Sequence, residues 1–139
     1  MKRRIIPICM SFAMALLLSS CIITSHDFQV DISCDEFVES NHRSGDFEVE
    51  VGDKIRLELC SNPTTGFQWD YEMTTGNVLK EEDHDFEEPK ADVPGTPGIE
   101  LWTFEAVEKG TTEVQMEYSQ SWDGGIKKEW TYNLRVTVE

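Results

Sequence analysis

Trp130, Tyr132, Leu134, Val136 and Val138 alternate without a break with Thr131, Asn133, Arg135 and Thr137. A period of two sends successive side chains to opposite faces of an extended chain, so this stretch must be a strand with one buried and one wet face. The pattern recurs at Phe28, Val30, Ile32; at Phe47, Val49, Val51; at Ile55, Leu57, Leu59; at Phe67, Trp69, Tyr71; at Trp102, Phe104, Ala106; and at Val114, Met116, Tyr118. Turn residues punctuate these runs at 51–54, 74–77 and 108–110, and the polar stretch 39–45 reads as a loop. Residues 80–88 are densely acidic and read as an exposed edge strand anchored by Phe86. Residues 89–98, with Pro89, Pro94, Pro97, Gly95 and Gly98, form a long irregular connection. No helical period is evident. The expectation is an all-β, immunoglobulin-like antiparallel β-sandwich of roughly seven to eight strands over residues 28–139. Its core includes Trp69, Trp102 and Trp130.

The chain starts differently. Lys2, Arg3 and Arg4 precede an apolar run from residue 5 to 18, followed by Ser19, Ser20 and Cys21. A basic start, a short apolar run and small residues before a cut are the parts of a secretory signal, and the run is too short to span a bilayer. The order Leu18-Ser19-Ser20-Cys21 resembles a bacterial lipobox, which implies cleavage after residue 20, lipidation at Cys21 and a tether over 21–27. An ordinary signal peptide cut nearby is the alternative. Either way the mature domain is expected outside the cytoplasm, in the cell envelope or secreted.

Removing the leader takes three of the 12 basic residues and none of the 27 acidic ones, leaving nine against 27 and a balance of −18. Such a surface repels nucleic acid and anionic headgroups and suits a basic or mixed-charge protein partner. The same acidity also serves solubility alone. Cys34 and Cys60 remain in the domain, where an oxidising compartment permits a bridge. Parity opposes it: Cys34 shares a face with Val30 and Ile32, whereas Cys60 lies opposite Leu57 and Leu59. A bulge would reconcile the two, and the bridge stays open. Neither cysteine has metal-ligand spacing.

Catalysis finds little support. His26, His42 and His84 stand near no patterned nucleophile, and no G-x-S-x-G, H-E-x-x-H or glycine-rich phosphate loop occurs. Asp83, Asp85 and Glu87 lack the spacing of a calcium loop and read as a solvated charge run. No enzyme activity, cofactor or metal is expected.

What remains is the interruption Asn62, Pro63, Thr64, Thr65, Gly66, with Phe67 opening the next strand. Pro63 fixes φ and has no N–H, Gly66 is free to take positive φ, and both threonines are stiff at χ1. So stiff a loop loses little entropy on docking. An ordinary turn is the plain alternative. In an up-and-down sandwich this loop should share one end with residues 89–98 and 119–125, as recognition loops do.

The run Asn-Pro-Thr-Thr-Gly-Phe, followed by Gln68-Trp69, resembles the signature loop of the chagasin family, protein inhibitors of papain-like cysteine proteases. The likeness extends over residues 46–139. In that family three loops at one end span the protease cleft, the first covering the catalytic cysteine. The family's second loop is glycine-rich with a G-x-G-G pattern; Gly95-Thr96-Pro97-Gly98 holds that place and departs at Pro97. Its third carries R-P-W; Gln120-Ser121-Trp122 keeps the tryptophan alone. The resemblance therefore implies a monomeric, reversible protease inhibitor that contacts its target through Asn62 to Phe67, Gly95 to Gly98, Gln120 and Trp122. An adhesion module using the same loops for a protein or glycan is the alternative function.

Overall fold

The computed structural model describes residues 24–139; the expected leader, Cys21 and the first part of the tether lie outside them. Eight strands follow in order: β1 (Asp27–Ile32), β2 (His42–Val49), β3 (Lys54–Ser61), β4 (Phe67–Met73), β5 (Leu79–Glu87), β6 (Gly98–Ala106), β7 (Gly110–Gln120) and β8 (Trp130–Val138). They form two four-stranded sheets, β1-β3-β6-β5 and β2-β8-β7-β4. The inner faces carry the alternating residues: Ile55, Leu57, Leu59 and Phe104 meet Val114, Met116, Leu134 and Val136, all buried. This is the immunoglobulin-like sandwich expected from the alternation.

Two features were not in that expectation. At one edge of each sheet the pairs β1–β3 and β2–β8 run parallel, because the connection from β1 to β2 crosses from one sheet to the other. That crossing contains a short helix, α1 (Cys34–Glu39), where a continuing strand and a loop were anticipated. Ser33 caps it: its hydroxyl accepts from the Glu36 N–H, and the Glu36 carboxylate accepts in return from the Ser33 N–H. The two partners of this reciprocal cap lie three positions apart in sequence, and the box satisfies two otherwise orphaned donors. Phe37 drops from the helix into the core and is fully buried.

The segment 39–45 is also more ordered than a loop. β2 already begins at His42, paired with Thr131, and Gly45 lies where any Cβ would overlap the Tyr132 hydroxyl. A glycine here marks close packing, not a turn.

β5 is the acidic edge strand anticipated from its charge, with Glu81, Glu82, Asp83, Asp85 and Glu87 exposed. Charge along an unpaired edge discourages pairing with another chain. Beneath it, the Tyr71 hydroxyl donates to Glu81 at 2.6 Å and ties the edges of the two sheets. Burial, followed by the Glu81 contact, pushes that hydroxyl's pKa up to about 12, so it remains a donor.

The registers set the polarity of the sandwich. Ser61 pairs with Gly98, Phe67 with Gln120, and His42 with Thr131, so the β1–β2, β3–β4, β5–β6 and β7–β8 connections all fall at one pole. The remaining connections lie at the other pole, where Asp27 pairs with Lys54 and the chain enters the domain.

Candidate functional site

Asn62 leaves β3 and Pro63–Thr65 make a single 3-10 turn. Gly66 ends it in the left-handed region at φ 79°, its N–H donating to the Pro63 carbonyl at 3.0 Å. The turn is held from within. The Thr65 N–H and hydroxyl both donate to the Asn62 carbonyl, at 3.2 and 2.6 Å, and the Thr64 hydroxyl donates to the Asn62 carboxamide oxygen at 2.6 Å. Pro63, Thr64 and Thr65 nevertheless face solvent. The result is a projecting tip with its threonine hydroxyls and the Asn62 carboxamide already paired and no titratable residue in it.

Its neighbours hold the tip from both sides. The Asn62 amide donates to the Gly95 carbonyl of the second loop at 2.9 Å, and the Gln120 amide donates to the Thr65 carbonyl at 3.2 Å. Gln120 also accepts from the Ile126 N–H at 2.9 Å, which folds the third loop back on itself. Lys127 reinforces that fold by donating from Nζ to the Gln120 and Trp122 carbonyls. The third loop runs over residues 121–129, because β7 continues to Gln120. Trp122 lays its ring over Gly66, where no Cβ would fit, and remains 49 % exposed. A large aromatic surface therefore stands beside the tip, fixed before any partner arrives.

Of the twelve residues expected to meet a partner, all lie at this pole, but not all reach its surface. Gly98 is buried: a Cβ there would overlap the Glu87 carbonyl and the Phe86 ring, so its role is to let β5 and β6 approach. Phe67 is half-buried and stacks on Tyr118 at 5.1 Å. These two support the loops.

Tyr118 is a support that its place in an alternating strand did not reveal. Its hydroxyl accepts from the Asn62 N–H at 2.6 Å, directly beneath the tip. Its ring stacks on Trp130 at 4.8 Å, and Trp130 stacks on Phe37 at 5.0 Å. A second brace is covalent. Cys34 and Cys60 form a disulfide with their Cα atoms 5.0 Å apart, one residue before Ser61 and two before Asn62. Strand parity does not apply to Cys34, because it is the first residue of α1 and lies beyond the end of β1. No bulge is involved. The Cys60 carbonyl also accepts from the Trp69 indole at 2.9 Å.

Nearby, the buried Glu100 carboxylate contacts His84 at 2.8 Å, with His84 stacked on Trp102 at 3.5 Å. Among the described residues no group of three or more His, Cys, Asp or Glu is arranged to hold a metal, and no helix is long and apolar enough to cross a membrane.

Comparison with known proteins places the chain in a family and matches its fold. Residues 48–136 match the family described as Chagasin family peptidase inhibitor I42. The chain is 30 % identical over 91 residues to Amoebiasin-2 of Entamoeba histolytica, covering 63 % of this chain and 74 % of that one. It is likewise 30 % identical over 91 residues to Chagasin of Trypanosoma cruzi, covering 63 % and 83 %. Among solved structures, the cysteine protease inhibitor EhICP2 of Entamoeba histolytica superposes with a TM-score of 0.66 at 20 % identity, over 83 % of this chain and 97 % of that one. PbICP-C, solved in complex with falcipain-2, superposes with a TM-score of 0.56 at 13 % identity, over 83 % and 100 %. These two likenesses concern the fold. With the greater part of its length matched, the chain belongs to the chagasin family of peptidase inhibitors and is an inhibitor, not an enzyme.

Proposed function

We propose that this protein reversibly inhibits papain-like cysteine proteases by setting Thr64, Thr65 and Gly66 into the active-site cleft, over the nucleophilic thiolate. The observation that carries the reading is the convergence of three loops, through Asn62 to Gly95 and Gln120 to Thr65, on one solvent-facing tip. A tip already paired with its own backbone gives up little freedom on docking. Its turn is helical, not extended, so it does not offer a peptide bond in the conformation of a substrate. Trp122 supplies the large anchor beside it, of the kind that dominates many interfaces. A contact of this kind covers about 800 Å² on each partner.

The proposal extends to location: lipid attachment at Cys21, in the cell envelope, and function as a monomer. In support, the chain enters the domain at the pole opposite the loops, where the His26 N–H donates to Asp53 at 2.8 Å. Anchored there, the protein would present its loops away from the membrane.

Residues 24–139 contain both sheets, the core and the disulfide, and are the unit to assay. The test is steady-state inhibition of papain and of a cathepsin. Tight, reversible inhibition that Thr65→Arg weakens by about 30-fold or more supports the reading. Absence of inhibition at micromolar concentration would favour a surface module that uses the same loops for a different protein or a glycan.

A further inference from the structure

The family match begins at residue 48, yet the loop pole carries one more element, and that element precedes the match. α1 is the β1–β2 connection, and it shares the pole with the three loops. It is also fixed to them. The disulfide joins its first residue to Cys60, just before the tip. At its other end the Asn41 amide donates to the Glu129 carbonyl, the last residue of the third loop, at 3.1 Å, and the Thr131 N–H donates to the Asn41 carbonyl at 2.8 Å. Phe37 stacks into the aromatic column that bears Asn62.

Against this rigid seating, Val38 is 72 % exposed, the highest value among the exposed large hydrophobic residues of the domain. Asp35 and Glu39 are exposed on the same helix, and no basic residue occupies its last turn. One apolar side chain between carboxylates, continuous with a binding pole, is the composition of an interface margin.

We infer that α1 is a fourth contact element of the inhibitor, with Val38 meeting an aliphatic spot rimmed by Lys or Arg on the protease surface beside the cleft. The inference rests on the inhibitory reading above and adds a specificity contact to it. The chemistry follows from the helix: Val38 needs an apolar partner, and Asp35 and Glu39 favour basic neighbours around it.

The test is Val38→Arg in residues 24–139, assayed against papain that has been activated and then freed of reductant, so that the disulfide stays closed. Val107→Arg is the control, since Val107 is exposed at the opposite pole. The expected result is an inhibition constant raised on the order of tenfold by Val38→Arg, mostly through faster dissociation, with Val107→Arg and the melting temperature of both variants unchanged. Thr65→Arg separates the two readings. If Thr65→Arg abolishes inhibition while Val38→Arg leaves it intact, α1 is not a contact and this inference fails alone. If neither substitution matters, the inhibitory reading fails with it. If Val38→Arg instead turns a dimer into a monomer without changing inhibition, the helix serves self-association and the inference is overturned.

Discussion

The ring of Trp122 lies across Gly66 so closely that a Cβ on Gly66 would overlap it. Gly66 also sits at φ 79°, a region that L side chains enter at a cost of about 1–2 kcal/mol. One residue therefore answers two demands: it closes the turn and it seats the anchor. Gly66→Ala should lower stability by about 1–2 kcal/mol and weaken inhibition at least tenfold, because the displaced indole no longer stands beside the tip. Combining it with Trp122→Ala should relieve the steric part, so the two changes should be less than additive in a double-mutant cycle. Strict additivity would show that the contact has no energetic weight.

Tyr118→Phe tests the support under the tip. The ring remains to stack on Phe67 and Trp130, but the Asn62 N–H loses its acceptor. An unsatisfied, partly buried donor costs about 1–3 kcal/mol. Chemical denaturation should register that loss, and amide exchange at Asn62 should speed up. Unchanged exchange would mean that the hydroxyl does not hold the loop.

The disulfide spans 26 residues, and closing a loop of that length should stabilise the fold by about 3–4 kcal/mol. Replacing Cys34 and Cys60 together by Ser should lower the denaturation midpoint accordingly. The fold itself should survive, since the strand pairing of the two sheets does not run through α1. Inhibition should weaken as well, because Cys60 stands two residues from Asn62. A variant that loses stability but inhibits as well as the parent would confine the bridge to a structural role.

Acid should act at the other pole. Burial pushes the Asp53 carboxyl up, but N–H donors from Glu50 and His26, together with the His26 charge, outweigh it, so the group lies below its ordinary value. A lowered folded pKa contributes stability that is fully present above the unfolded value near about 4 and is lost as pH falls through the folded value. Asp53→Asn should therefore reduce stability at neutral pH and flatten its decline below about pH 4. An unaltered acid limb in the variant would remove Asp53 from the explanation. The tip itself holds no titratable group, so any change of inhibition with pH should originate outside it.

Much of this architecture was legible because alternation is a local signal. Every inner-face residue from Ile55 to Leu59 and from Leu134 to Val138 could be assigned from its neighbours alone. The tip was equally plain, since Pro63 and Gly66 restrict the backbone wherever they occur. What stayed hidden depended on partners distant in sequence. Gly45 looks like a turn residue until Tyr132 is placed against it, and Cys34 looks like a strand residue until the chain bends at Ser33. That bend has a local signal, since Ser33 followed by Glu36 is a capping box, but the regular alternation from Phe28 to Ile32 masks it. Gln120 is legible as a loop residue, but its bracing of the tip, like that of Tyr118, is not, as each acts on a loop more than fifty residues away.

The proposed mode of action is tested most directly at the protease thiol. Papain freed of reductant is treated with a small alkylating agent in the presence of increasing amounts of residues 24–139, and the rate of modification of its catalytic cysteine is followed by mass spectrometry. The expected result is protection in step with loss of activity, none with Thr65→Arg, and an inhibitor chain left uncut between Asn62 and Phe67. Activity lost while the thiol is alkylated at its free rate, or cleavage within the tip, would contradict a plug over the nucleophile.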